Sequence, residues 1–389
     1  MKASAFVYPW DVNGDPAAAR LIAGTGVEQV TLAAAYHSTR ALTPRHPRHR
    51  VVTAEYAAAL YPPDAARWEG REFRPYEAGD WAPGDAWGEA AAALADAGVE
   101  VHTWVVLAHS SRLGAEHPHT SVVNAYGDRY PWAPCIAQPA TRAYLTALAA
   151  EAATRDGARG TELESLGWYG LAHLHAHDKT GGVALGDAGQ YLMSLCFCPH
   201  CRAGYGGQGL DPDELAAAVR AALEPVWRGT VPSDGGWAGV GKLLGEASAE
   251  ATRVWRDERA RTLQEEAVAA VRTAAPDGFQ VLLHADPVSY HCGANAGVDP
   301  AHILSVADGV VVPCTGGAGL LSPFAEQGRA GAVLAANLTV VSGMGGSPHT
   351  LADDAARARD LGATQLRLYH AGLASDGDLE AVRAGLAAR

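Results

Sequence analysis

The chain has 389 residues, 48% apolar and 19% charged, and a formal net charge of −13. That acidic balance excludes the dense basic footprint of a nucleic-acid binder, and the single basic stretch "TPRHPRHR" (43–50) does not outweigh it. No apolar run reaches the ~18–20 residues of a membrane span, and "MKASAFVYPW" enters a strand-like run without a signal-peptide pattern, so a cytoplasmic protein with no membrane partner is expected.

Taken in chain order, β-branched runs alternate with Ala/Leu-rich amphipathic segments. A first strand at 4–9 leads to Trp10 and Asp11, then a helix over 15–24. A second at 29–36 ends on Tyr36 and His37, and a helix over 85–97 follows. The third, 101–109, ends on His109, with Cys135 just before a helix over 139–155. The fourth, "TELESL" (161–166), carries Glu162 and Glu164, with Trp168 just past it. Next come "HLHAHDK" (173–179), "CFCPHCR" (196–202), a helix opening at "DPDELAAAVRAAL", and a long helix over 242–274. The fifth strand, 279–285, brings His284 and Asp286 before a helix over 300–306. The sixth, 309–314, ends on Cys314 and precedes a short helix in 322–330. The seventh, 333–340, has Asn337 as its polar residue; the eighth, 365–370, carries Arg367, Tyr369 and His370. Helices over 348–361 and 378–388 complete the pattern. Asp15-Pro16, Asp299-Pro300 and Ser347-Pro348 read as caps followed by proline in the first turn.

Eight β-then-α units predict an α/β fold, a single (β/α)8 TIM barrel over 1–389 with loop excursions at 37–84 and 167–241. An open doubly wound sheet is the alternative, but no Gly-rich phosphate fingerprint follows the first strand. In such barrels chemistry sits at the C-terminal ends of the strands.

Cys196, Cys198 and Cys201 have the spacing of a thiolate metal site, whose fourth ligand is His200 or a cysteine from elsewhere. Cys135 lies on a neighbouring loop, so Cys135, Cys196, Cys198 and Cys201 would hold a structural zinc that pins one loop to the next. Three core cysteines are the simpler reading; a redox centre lacks its thioredoxin-like setting.

The order of Cys135 with "QPATRAY", then "ELESLGWYG", then "CFCPHCR" resembles that of beta-galactosidases of glycoside hydrolase family 42 and their barrel relatives. The resemblance implies a general acid/base at Glu164, a carbohydrate or glycoside as substrate, and self-association, since relatives with this clamp form trimers. It also implies a carboxylate nucleophile ending strand seven, yet "LAANLTVVSGMGG" has no Asp or Glu.

Strand alternation turns Glu162 and Glu164 to one side, the first deeper, and Arg367 inward on strand eight, where it can pair with Glu162. Asp286 is the candidate second carboxylate, with a turn residue before Pro287 as the plainer reading. Trp10, Asp11, Tyr36, His37, His109, Trp168, His173, His175, His177, His284, Arg367 and Tyr369 are candidate substrate contacts by their place at or near strand ends. Two rivals stand beside a glycoside hydrolase-like enzyme. One is a metal-dependent hydrolase or lyase using His173, His175, His177 and Asp178; the other is a barrel that binds carbohydrate without turnover.

Overall fold

The computed structural model describes residues 1–172, 178–230 and 235–388. Eight parallel strands form the barrel: β1 (Lys2–Val7), β2 (Gln29–Tyr36), β3 (Glu100–Val106), β4 (Ala158–Glu164), β5 (Gln280–Asp286), β6 (Gly309–Pro313), β7 (Val333–Thr339) and β8 (Gln365–Tyr369). Each pairs with its neighbours in sequence, and β1 pairs with both β2 and β8, so the sheet closes. Helices stand between strands: α1 (Ala18–Ala23), α2 (Ala86–Asp96), α3 (Pro139–Ala152), α4 (Glu246–Ala274), α5 (Pro300–Val306), α6 (Ser322–Ala325), α7 (Leu351–Asp360) and α8 (Asp376–Ala387). No helix among the described residues is long and apolar enough to cross a membrane.

The predicted (β/α)8 fold is therefore the observed one, and its departures have local causes. The first strand ends two residues early because Pro9 opens a short helix, Pro9–Val12, at whose start the Asp11 carboxylate accepts from the Tyr8 amide. The helix predicted from 242 breaks at Gly245, whose φ of 84° ends Trp237–Leu244 before α4 begins. Asp299 caps α5 through the His302 amide. Asp15 instead accepts from the Ala17 amide, and Ser347 makes no side-chain cap.

The helix-facing side of the barrel is a continuous apolar core. The interior is divided. Leu282, Val311, Val333 and Ala335 form a small apolar cluster on β5–β7. Polar residues fill the opposite half, and Phe6, Tyr8, Tyr36 and Trp104 pack above them. His102 on β3 lies so close to β4 that a Cβ at Gly160 would stand 2.4 Å from its ring. Two excursions cross the C-terminal face. The one after β2 begins with a hairpin, Thr39–Leu42 paired with Val51–Ala54. The one after β4 carries helices Gly186–Met193, Pro199–Gly207, Pro212–Trp227 and Trp237–Leu244.

Candidate active site

Alternation along β4 and β8 builds the deepest layer. Glu162 and Arg367 are both fully buried, and Arg367 Nε donates to Glu162 Oε1 at 2.6 Å. Thr31 Oγ1 donates to the same oxygen at 3.0 Å and is itself 2.9 Å from Ser4 Oγ. Arg367 Nη1 donates to Gln365 Oε1. Burial alone would raise the Glu162 carboxyl, but Arg367, His284 and His102 outweigh it and hold its pKa at about 2. This layer is an ion pair roofed by the rest of the site.

Glu164 lies one layer higher, at the end of β4. Burial pushes its carboxyl above the usual range, and the charge of Glu162 adds to that; His284 and the Trp104 indole pull the other way. Trp104 Nε1 donates to Glu164 Oε2 at 2.6 Å. His284, inward on β5, stands between the two carboxylates: Nε2 is 3.4 Å from Glu162 Oε2 and Nδ1 is 3.8 Å from Glu164 Oε2. A carboxyl whose pKa is raised in this way is suited to give a proton to a leaving oxygen.

Aromatic side chains wall the layer above. Phe6 meets Trp104, His284 and Tyr369 edge-on. The Tyr8 hydroxyl is hydrogen bonded to Tyr36 Oη (2.9 Å) and to His370 Nδ1 (3.1 Å), and Tyr369 joins through Tyr36. Burial lowers His370 to about 3, which keeps that imidazole neutral at pH 7. Ser165 and His370, each directly after a strand end, have φ of 59° and 60°, a left-handed backbone that costs energy in residues other than glycine.

The other candidates fall around this wall. Trp10 stacks on Tyr8 at 4.6 Å, and its indole nitrogen is buried without a partner among the described residues. Asp11 Oδ2 accepts from the Tyr8 amide, Oδ1 has no partner among the described residues, and burial raises the carboxyl to about 7. Gly372 approaches so closely that a Cβ there would lie 1.9 Å from Asp11 Oδ2. His37 stacks on Tyr36, and His109 stacks on Tyr169 at 4.3 Å while its Nδ1 bonds to the Trp132 carbonyl. Asn337 stands on β7, its Oδ1 without a hydrogen-bond partner among the described residues. Trp168 is buried away from the wall, its indole donating to the Arg256 carbonyl and its ring covered by the Arg256 guanidinium. Asp286 is turned toward its own loop, Oδ1 accepting from the Val288 amide and Oδ2 bonded to His291 Nδ1. That bond raises the His291 pKa. His173, His175 and His177 lie outside the described residues; Asp178, which follows them, is exposed.

Sequence reasoning passed over Trp104, Tyr8 and Tyr169. The first two were readable, since Ser4, Phe6 and Tyr8 share one face of the first strand and its extension, as His102 and Trp104 do on the third.

Beside this site the four cysteines converge. The hairpin Ser121–Val123 with Arg129–Pro134 delivers Cys135, whose amide donates to the Thr120 carbonyl. The Phe197 amide donates to Val123 O, and Cys198 opens the helix Pro199–Gly207 with proline in its first turn. All four Sγ atoms lie within 4.8 Å of one another, with Cys135 3.6 Å from both Cys198 and Cys201. A tetrahedral Zn–S₄ group with bonds of ~2.3 Å has edges of about 3.8 Å, so the donor set fits a thiolate metal. The thiols are buried and unbridged, and the Cys135, Cys196 and Cys201 sulfurs drive Cys198 strongly toward the thiolate. The fourth member is thus Cys135; His200 is exposed and not part of the group.

No family model matches the sequence, and no curated protein matches it. Solved structures do share the fold. The catalytic domain of a beta-amylase from Paenibacillus polymyxa is similar with a TM-score of 0.58 at 13% identity, covering 98% of this chain and 97% of that one. The PgaB (BpsB) glycoside hydrolase domain from Bordetella bronchiseptica gives 0.55 at 17% identity, with 99% of each chain covered. Alpha-L-fucosidase isoenzyme 2 from Paenibacillus thiaminolyticus gives 0.57 at 13% identity; this chain, 99% covered, spans 48% of its length. A beta-galactosidase is among the similar structures too. The neighbours are glycoside hydrolases built on the same closed eight-stranded barrel, which accords with the resemblance read from the sequence.

Proposed function

We propose that this protein is a glycoside hydrolase-like enzyme acting on a carbohydrate, with Glu164 as general acid/base and a structural zinc on Cys135, Cys196, Cys198 and Cys201. The observation that carries the reading is a buried carboxyl, raised above its ordinary range, at the C-terminal end of β4 and walled by Trp104, Tyr8, Tyr36 and Tyr369. The glycoside hydrolase neighbours support the substrate class at the level of fold.

In this reading Glu164 protonates the leaving oxygen. Asp286 is the candidate second carboxylate; as it stands both its oxygens are bonded within its own loop, so it would have to release the Val288 amide or His291 to assist an attacking water. Glu162 acts from below: its fixed negative charge raises Glu164, while Arg367 keeps it ionised. The unpaired Trp10 Nε1, Asp11 Oδ1 and Asn337 Oδ1 are contacts for substrate hydroxyls, and the tyrosine rings give sugar faces a surface. Zinc, when bound, supplies cross-linking and no chemistry, because four thiolates leave no open position.

A barrel that binds carbohydrate without turnover is favoured by one observation, Asn337 on β7 where the resemblance calls for a carboxylate. A screen of nitrophenyl glycosides with wild type and Glu164→Gln separates the two. Hydrolysis that disappears in Glu164→Gln supports the enzyme; hydrolysis that persists in Glu164→Gln removes Glu164 as acid/base. Ligand binding unchanged by Glu164→Gln, with no hydrolysis in either protein, supports the binding barrel.

A further inference from the structure

The hairpin after β2 is the basic stretch that the site described above leaves unused. Residues 39–54 hold Arg40, Arg45, Arg48, Arg50, His46 and His49 and no carboxylate, in a chain of net charge −13. None of the four arginines takes part in an ion pair among the described residues. Their bonds go to backbone carbonyls instead: Arg45 to Gly372 and Ala374, and Arg50 to His46 and His49. Arg40, Arg48 and Arg50 are exposed. The His46 and His49 rings stack at 3.6 Å, and burial, His46 and Arg50 lower the His49 pKa. The guanidinium charges of the hairpin repel one another, and no carboxylate within it offsets them.

Its position is fixed. Arg45 anchors it to the loop after β8, and His46 Nε2 bonds to the Asn13 carbonyl in the loop after β1. The Arg48 guanidinium lies against Gly14. The hairpin thus covers the rim over β8, β1 and β2, the strands that bring Tyr369, Tyr8 and Tyr36 to the wall above Glu164.

We propose that this hairpin is a docking strip for an acidic glycan, so that the carbohydrate taken by the site carries carboxylate groups. Guanidinium forks match carboxylates in two-point contacts, which suits arginine over lysine here. Duplex DNA and anionic vesicles present charge over a width far greater than this strip, against acidic surface that repels it, whereas a single glycan chain can run along the rim and meet the arginines alone. The proposal rests on the glycoside hydrolase-like reading for the location of the site, not for its own measurement.

The test is affinity electrophoresis and calorimetry with polygalacturonate and neutral dextran, in the Glu164→Gln background so that nothing is consumed. Polygalacturonate is expected to bind and dextran not to. Affinity is expected to fall by about tenfold in a triple Arg40→Gln, Arg48→Gln, Arg50→Gln variant, and to weaken with added salt. Arg40→Glu alone, at an exposed position, is a milder second variant and is expected to weaken binding as well. Equal binding to both polymers, no binding to polygalacturonate, or unchanged affinity in both variants overturns the proposal. Binding of duplex DNA or phosphatidylserine vesicles as tight as that of polygalacturonate overturns it too. The two readings fail separately. A wild type that cleaves no glycoside yet binds polygalacturonate through these arginines loses only the hydrolase; one that cleaves neutral glycosides and ignores polygalacturonate loses only the docking strip.

Discussion

The indole nitrogen of Trp104 donates to Glu164 Oε2 at 2.6 Å, so the group read as the proton donor has a neighbour that favours its ionised form. Burial wins over this bond, and the balance sets the pH range in which Glu164 keeps its proton.

Trp104→Phe removes the donor and leaves the ring. The Glu164 pKa is expected to rise further, because a bond that favoured the charged form is gone while burial remains. The alkaline limb of the pH–rate profile should move to higher pH, and the carboxyl band in infrared titration should follow. A limb that moves down or stays fixed counts against Glu164 as the titrating acid.

Arg367→Ala strips Glu162 of its partner in a fully enclosed place, a change expected to cost about 3–5 kcal/mol in urea unfolding. Linkage gives a second reading. Glu162 is held at about 2 against an ordinary 4.5, so its contribution is present above pH 4.5 and is lost as pH falls toward 2. The variant should lose less stability than wild type between those values.

Asp11 shows the opposite sign. Its carboxyl is raised from 3.8 to about 7, so the folded state holds a proton that the unfolded state has released, and stability falls as pH rises between those values. Asp11→Asn is expected to flatten that slope and to be no less stable than wild type above pH 7. Melting temperatures across pH 4 to 8 check it.

Cys198→Ser should lower metal content from about one zinc per chain toward none. Hydrogen exchange is then expected to quicken in 121–135 and 196–207, the segments the thiols bring together, and much less in β5–β8. Removal of metal by chelation with no loosening there would separate the cysteines from any stapling role.

Much of the architecture was legible because each barrel strand is a short apolar run between turn signals, and the two-residue period, with strands four and eight contributing to one layer, put Glu162 beside Arg367. The same period pointed at Tyr8 and Trp104, but buried aromatics are ordinary in cores, and nothing in their spacing distinguishes a wall from packing. Trp168 was read as a rim aromatic because the sequence could not reveal that Arg256, 88 residues on, would cover its ring. The left-handed turns at Ser165 and His370 leave no mark in residue type. Asp286 was ambiguous for a physical reason as well: a carboxylate before proline serves a turn and a reaction equally, and here it bonds to its own loop.

The thiol cluster also bears on the order in which the molecule can be made. All four cysteines fall between residues 135 and 201, and β4 runs between the first of them and the other three. A ribosome releases that whole set while β5 to β8 are still untranslated. With a metal bound there, a half-built barrel, its sheet open on β4, would close a cross-link around the strand that carries Glu164, and the later strands would be added to an edge already held in register.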